Sequence, residues 1–234
     1  MSFPGIPSLD AAVMAFIQTH FHNTVTDTVF PIITSLGEAG IGWIVLSLVL
    51  LCFKKTRRTG GLVLIAMTVT LLFGELTLKN IICRLRPCNV FTDFPMLIAR
   101  PTSYSFPSGH TSSSFAAALI LTLRHKKVGW LAYIPAVLIA FSRIFLFVHY
   151  HTDVLAGILL GTLAALLTYF AAKAIQNDRQ RSAQHKFEPF ISTNKSSAQV
   201  SQPTRFFYLC SVLSCQFFLV NSSNTFRTLC AASS

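Results

Sequence analysis

Three short stretches of this chain hold side chains whose types and spacing suit chemistry on a phosphate. Lys79 and Arg86 lie in KNIICRLRP, Pro107 to His110 spell PSGH, and Arg143, His149 and Asp153 fall within SRIFLFVHYHTD. A lysine ammonium supplies a point charge and an arginine guanidinium a planar fork, so Lys79, Arg86 and Arg143 together could offset a phosphate dianion. PSGH has an anion logic of its own. Proline at a first helical turn, followed by serine and glycine, leaves unpaired backbone amides aimed along the positive end of the helix dipole. Ser108 adds a hydroxyl donor and Gly109 permits close approach. His149 and Asp153 are four apart and share a helix face if a helix begins near residue 149. The carboxylate can then take a hydrogen bond from one ring nitrogen and leave the other free to attack. His110 has no comparably spaced acid and is assigned as proton donor to the leaving oxygen.

The elements that must position these residues are apolar helices. Of 234 residues 52% are hydrophobic and only 12% are Asp, Glu, Lys or Arg, against roughly 25% charged in a soluble domain. A disordered chain is excluded too, since 21 Phe would collapse or insert. Five apolar stretches, at about residues 37–53, 60–78, 109–123, 128–148 and 152–172, approach the roughly 20 helical residues that cross a bilayer core. Open strands cannot satisfy their backbone in lipid, so the expected fold is all-α: a polytopic transmembrane bundle of about five spans. The connection from about 80 to 108 is the one long separator. Residues 1–36, interrupted by His20, His22, Asn23, Thr24, Thr26 and Asp27, are expected as an interfacial helical segment. The core is then 37–176, and 177–234 is a polar basic tail carrying a short apolar segment at 206–220 to which no function is assigned.

The charge of +11, from 19 Lys plus Arg against 8 Asp plus Glu, could on its own indicate a nucleic-acid partner. Its distribution argues otherwise. KKTRR at 54–58, RHKK at 124–127 and the basic tail all fall on one side if five spans alternate, and the first 53 residues hold no Lys or Arg. The positive-inside rule then puts the amino end outside and the tail in the cytoplasm. Lys79, Arg84, Arg86, Arg100 and Arg143 break that rule on the outer face, so some of them are expected to bind an anion there.

Each of these residues has a plainer alternative. Lys79 could snorkel, or pair with Glu75 one turn earlier. Arg84 and Arg100 fall outside the strict spacing and are expected to stabilise the loop or attract headgroups. His149, His151 and Asp153 could be read as metal ligands, but residue 151 points away from the face shared by the other two, and no metal or other cofactor is expected. His20 and His22 are expected to be interfacial polar groups. Cys83 and Cys88 flank the first motif, where the spacing leaves a disulfide open.

Taken together, K-x6-R-P, PSGH and S-R-x5-H-x3-D resemble the type 2 phosphatidic acid phosphatase superfamily over roughly residues 10 to 175. That group includes membrane lipid phosphatases, soluble acid phosphatases and vanadium haloperoxidases. The resemblance implies a metal-independent phosphatase in which Lys79, Arg86, Ser108, Gly109 and Arg143 hold the phosphate. His149 would attack phosphorus to give a phosphohistidine, His110 would protonate the leaving group, and Asp153 would support His149. The bacterial branch acting on undecaprenyl diphosphate is the nearest in character. The expected partners are a lipid phosphate and the membrane rather than nucleic acid. Three other readings stay open: a phosphatidic acid or phosphatidylglycerol phosphate phosphatase, a lipid phosphotransferase, and a non-catalytic lipid or anion transporter.

Overall fold

The computed structural model describes Phe3 and residues 5–195, with side-chain surroundings as far as residue 182. The expectations for the apolar segment at 206–220 lie outside the described residues. Among the described residues there are helices and no strands.

Helix α1 (Ser8–His20) buries Asp10, Met14, Ile17 and Gln18, a spacing that puts all four on one face. Helix α2 (Thr24–Leu36) starts from a reciprocal cap. Asn23 Oδ1 accepts from the Val25 and Thr26 amides at 3.0 Å each, while Thr26 Oγ1 accepts from the Asn23 amide at 3.0 Å. The chain then breaks at Ala39 (φ 48°) and Gly40 (φ 71°), left-handed conformations that no helix continues. Helix α3 (Ile41–Cys52) follows, bent 44° from α2.

Helix α4 (Arg57–Thr70) continues through wider π-type turns at Leu71–Leu78 into α5 (Lys79–Ile82). Such turns shift the side-chain register without ending the helix, and often lie at functional sites. Cys83 in a left-handed conformation (φ 51°) terminates α5, and Pro87 opens the short α6 (Pro87–Val90).

Helix α7 (Gly109–Arg124) is the centre of the bundle. It buries Thr111, Ser112, Ser114, Ala116, Ala117, Ala118, Ile120 and Leu121, close to a full circumference, as a helix packed on several sides must. Trp43 Nε1 on α3 donates to Ser114 Oγ at 2.9 Å. Helix α8 (Tyr133–Phe145) closes another side, and Gln18 Nε2 of α1 donates to the Phe145 carbonyl at 3.0 Å, satisfying an orphan group at the α8 end.

The last helix among the described residues, α9 (His151–Lys195), meets α7 through Gly157 and Gly161. A Cβ at Gly157 would stand 2.7 Å from the Ser108 carbonyl oxygen, and one at Gly161 would collide with the Ser112 carbonyl. Small residues four apart let two helix backbones touch, the usual device where apolar burial gives no driving force between helices in lipid. On the other face Leu155, Leu159, Leu163, Leu167 and Phe170 are exposed, an apolar stripe suited to acyl chains.

Among the described residues two helices, Arg57–Val90 and His151–Ser182, are long and apolar enough to cross a membrane, and the bent pair Thr24–Leu36 with Glu38–Cys52 makes a third if counted as one span. The helix at Gly129–Phe145 is apolar but shorter, and α7 has 16 residues.

Candidate active site

The site is assembled from a broken helix, a loop, a helix start and a tight turn. Arg86 follows the α5 stop, at the N-cap of α6, and is 3% exposed. Its guanidinium donates to the Ser103 carbonyl (2.7 Å), the Ser103 hydroxyl (2.9 Å) and the Val148 carbonyl (3.0 Å), and reaches His149 Nε2 at 2.9 Å. Arginine has donors only, so Nε2 of His149 is the lone-pair nitrogen and Nδ1 carries the proton. Nδ1 faces Ser105 Oγ at 3.4 Å and Asp153 Oδ2 at 3.5 Å. The Ser105 hydroxyl itself donates to Asp153 Oδ2 at 2.5 Å, and the Tyr150 amide donates to the same oxygen at 3.0 Å.

This arrangement corrects one expectation. Helix α9 begins at His151 rather than near 149, so His149 and Asp153 do not share a helix face. A turn brings them together: Phe147 takes φ 59°, and the Val148 and His149 amides both donate to the Arg143 carbonyl, at 3.2 and 3.1 Å. The turn folds the histidine back over the first residues of α9. His151, as expected, points elsewhere, its Nδ1 lying 2.5 Å from Asp10 Oδ1. Among the described residues no group of three or more His, Cys, Asp or Glu side chains is arranged to hold a metal.

PSGH is corrected in detail as well. Pro107 precedes the helix, Ser108 is its N-cap and Gly109 its first residue. The Ser108 amide donates to the Asp153 carbonyl at 3.1 Å, and its hydroxyl accepts from Thr111 Oγ1 at 2.9 Å. The segment is therefore tied to the start of α9 instead of leaving every amide free. Glu75 pairs with Lys79 Nζ at 2.7 Å, and its other carboxylate oxygen lies over Gly109, where a Cβ would collide with it. Lys79 is thus both buried and paired with Glu75, whose carboxylate sits beside the start of α7.

Arg143 is 4% exposed and donates through Nη1 to Thr34 Oγ1 at 2.6 Å. Its Nε is buried and has no hydrogen-bond partner among the described residues, an orphan donor of the kind an arriving anion satisfies. His110, the expected proton donor, is the second residue of α7, next to Gly109 and the Glu75 carboxylate over it. The His110 ring packs where Gly37 offers no side chain.

Of the loop arginines, Arg100 behaves as expected, its guanidinium donating to the Cys88, Thr92 and Phe94 carbonyls. Arg84 ties the loop inward, to Asp153 Oδ1 (2.6 Å) and Asp10 Oδ2 (2.7 Å), which is the loop-stabilising one of the two expected roles. Cys83 and Cys88 are both free, the first exposed and the second buried. His22 stacks on Phe145, centroids 4.1 Å apart, and pairs with Asp27 at 2.7 Å, whereas His20 bonds back to its own helix.

Sequence reasoning missed Ser105, Thr34 and Asp10. Nothing in type or spacing marks the first two. Asp10 carried a signal: it is one of 8 acidic residues in an apolar chain, where an ionisable group needs a reason to be retained.

The comparisons with known proteins bear on the family of the chain. An undecaprenyl-diphosphatase of Sulfolobus acidocaldarius is 38% identical over 127 residues, which is 54% of this chain and 61% of that protein, less than two thirds of its length. The bacitracin transport permease protein BcrC of Bacillus licheniformis is 32% identical over 173 residues, 71% of this chain and 85% of the relative. Among solved structures, the transmembrane PAP2 type phosphatidylglycerolphosphate phosphatase from Bacillus subtilis superposes with a TM-score of 0.60 at 29% identity, covering 74% of this chain and 89% of that one. The PAP2 superfamily sequence model matches residues 59–176. Every motif residue from Lys79 to Asp153 falls inside that stretch, and the chain belongs to the PAP2 superfamily.

Proposed function

We propose that this chain is a membrane lipid phosphatase that hydrolyses a lipid phosphate or diphosphate, undecaprenyl diphosphate first among the candidates, without a metal. The observation that carries the reading is the 2.9 Å contact between His149 Nε2 and the Arg86 guanidinium, a donor-only group that leaves this nitrogen its lone pair. The orphaned Arg143 Nε adds to it. A phosphate entering there gives Arg86 and Arg143 an anion to hold and draws Arg86 off the nucleophile. Lys79, Ser108 and Gly109 complete the cradle, with Glu75 yielding its place over Gly109.

Nε2 of His149 attacks phosphorus, the N–P bond forms, and the bond from phosphorus to the leaving oxygen breaks. That oxygen takes its proton from His110. The imidazole gains positive charge as it is phosphorylated, and Asp153 and Ser105 at Nδ1 offset that charge. Water then attacks phosphorus, His110 takes a proton from it, and the N–P bond breaks to release phosphate. Phosphate ester hydrolysis is among the slowest uncatalysed reactions, which accounts for several cations and a positioned nucleophile at one place.

In this reading residues 37–176 form a core of about five spans, 1–36 lie at the interface, and 177–234 form a cytoplasmic basic tail. The protein is a multi-pass cell-membrane protein whose site opens on the extracytoplasmic face, because KKTRR and RHKK mark the opposite side. Substrate enters sideways from the outer leaflet.

The permease name of the B. licheniformis relative gives transport a standing as second reading. A substrate panel separates the two. Purified protein in detergent is given undecaprenyl diphosphate, phosphatidic acid and phosphatidylglycerol phosphate, with and without chelator. Phosphate release that chelator leaves intact supports the proposal, and the fastest substrate names the lipid. Movement of lipid across sealed vesicles with no phosphate released from any of the three refutes it.

A further inference from the structure

We infer that Asp10 and Arg84 form a clamp that holds Asp153, and through it His149, in reactive position, making them positioning residues of the proposed phosphatase reaction, on which reading this inference rests. Asp10 sits on α1, outside the 59–176 stretch that matches the family.

Arg84 is placed as a two-pronged bridge. Nη1 donates to Asp153 Oδ1 at 2.6 Å and Thr152 Oγ1 at 2.7 Å, Nη2 donates to Asp10 Oδ2 at 2.7 Å, and the guanidinium carbon lies 3.9 Å above the Tyr150 ring centre. Asp10, 1% exposed, also accepts from the Thr152 amide at 3.2 Å and faces the Thr152 hydroxyl and His151. The turn residue Tyr150 and the first turn of α9 are thus pinned between the loop after α5 and the N-terminal helix.

The consequence falls on Asp153. Its Oδ2 serves Ser105, the Tyr150 amide and His149, and that division of labour holds only while Oδ1 is fixed, because a free carboxylate rotates and exchanges its oxygens. Arg84 fixes Oδ1. Arg84 in turn is fixed by Asp10, since a guanidinium planted on one carboxylate alone keeps rotational freedom. With both terminal nitrogens committed, Arg84 has no fork left for a substrate phosphate. A buried carboxylate with no task would be a net cost to the fold. The clamp gives Asp10 that task.

The test is a double-mutant cycle on phosphate release from undecaprenyl diphosphate by the full chain in detergent, using Asp10→Asn, Arg84→Gln, the double variant, Arg84→Lys, and His149→Ala as reference. Each single variant is expected to lower kcat on the order of 10- to 100-fold with KM within about twofold, the signature of misplacement rather than lost binding. The double variant should lose little beyond Arg84→Gln, because Asp10 acts through Arg84. Arg84→Lys keeps the charge inside the network, so it should keep its unfolding midpoint yet regain only part of kcat. Losses that multiply, a raised KM at unchanged kcat, or full activity in Arg84→Lys would each overturn the clamp. Undiminished kcat in Asp10→Asn and Arg84→Gln beside an inactive His149→Ala overturns the clamp alone. Normal turnover by His149→Ala overturns the mechanism beneath it.

Discussion

Replacing Asp153 by its amide isolates the electrostatic part of the site with almost no change of shape. The carboxylate is fully buried and takes Arg84 on Oδ1 at 2.6 Å, with Ser105 at 2.5 Å and the Tyr150 amide at 3.0 Å on Oδ2. An amide has one accepting oxygen. If that oxygen faces Arg84, the new NH2 confronts the Tyr150 N–H, and if it is turned the other way, NH2 confronts the guanidinium. At least one charge-assisted hydrogen bond is lost, about 1.5–3 kcal/mol. Assigned to the step in which His149 gains positive charge, 3 kcal/mol is about two powers of ten in rate. The same change in a serine protease triad costs roughly 10⁴ in kcat. Here His149 Nδ1 stands 3.5 Å from Asp153 and Ser105 shares it, so Asp153→Asn is expected to lower kcat about 10²-fold, leaving KM near that of the unmodified protein. Phosphate release from undecaprenyl diphosphate in detergent, over a range of substrate, measures both. A kcat within about threefold of the parent would refute the reasoning that Asp153 carries the charge opposite His149.

Two further outcomes test the frame around the site. Gly161→Val sets a side chain against the Ser112 carbonyl, the Ala116 nitrogen at 3.0 Å and the Ser112 carbon at 3.1 Å, all backbone, and should cost about 1–3 kcal/mol or more, lowering the unfolding midpoint in detergent by several degrees. Gly61→Ala, which meets nothing within 4 Å, should be neutral or slightly stabilising. Burial pushes the Asp10 carboxyl up, but hydrogen bonds from Arg84 and Thr152 outweigh it and hold the group below its ordinary value. Its contribution to stability is then complete above the ordinary carboxylate pKa of about 4 and is lost as pH falls through the lower folded value. The unfolding midpoint of the parent should drop along that acid limb, and Asp10→Asn should flatten the drop.

Much of the site was legible in the sequence because cations on the outer side of an apolar chain stand out, and because K-x6-R-P, PSGH and S-R-x5-H-x3-D keep their order. The central helix was legible too: the apolar stretch expected at 109–123 is α7, Gly109–Arg124. What escaped depends on tertiary geometry that no periodicity encodes. The π-type turns at Leu71–Leu78 read as ordinary helix in the sequence. The turn at Phe147 delays α9 to His151, so His149 and Asp153 come within 3.5 Å through that turn rather than through helical spacing. Ser105 sits in a long connection whose path is set by Arg86 reaching Ser103 and the Ser105 amide reaching the Arg84 carbonyl. Arg84 looked like a surplus loop cation because its partner Asp10 is far away in the chain and only the packing of α1 brings them together.

Whether His149 is the nucleophile is decided by trapping the intermediate. The protein is mixed with undecaprenyl diphosphate labelled at the terminal phosphate, quenched within one turnover, and digested for peptide mapping. A His149 nucleophile gives an alkali-stable, acid-labile phosphoenzyme whose label maps to His149 and is absent from His149→Ala. A label on another residue, or full single-turnover phosphate release by His149→Ala, would contradict it.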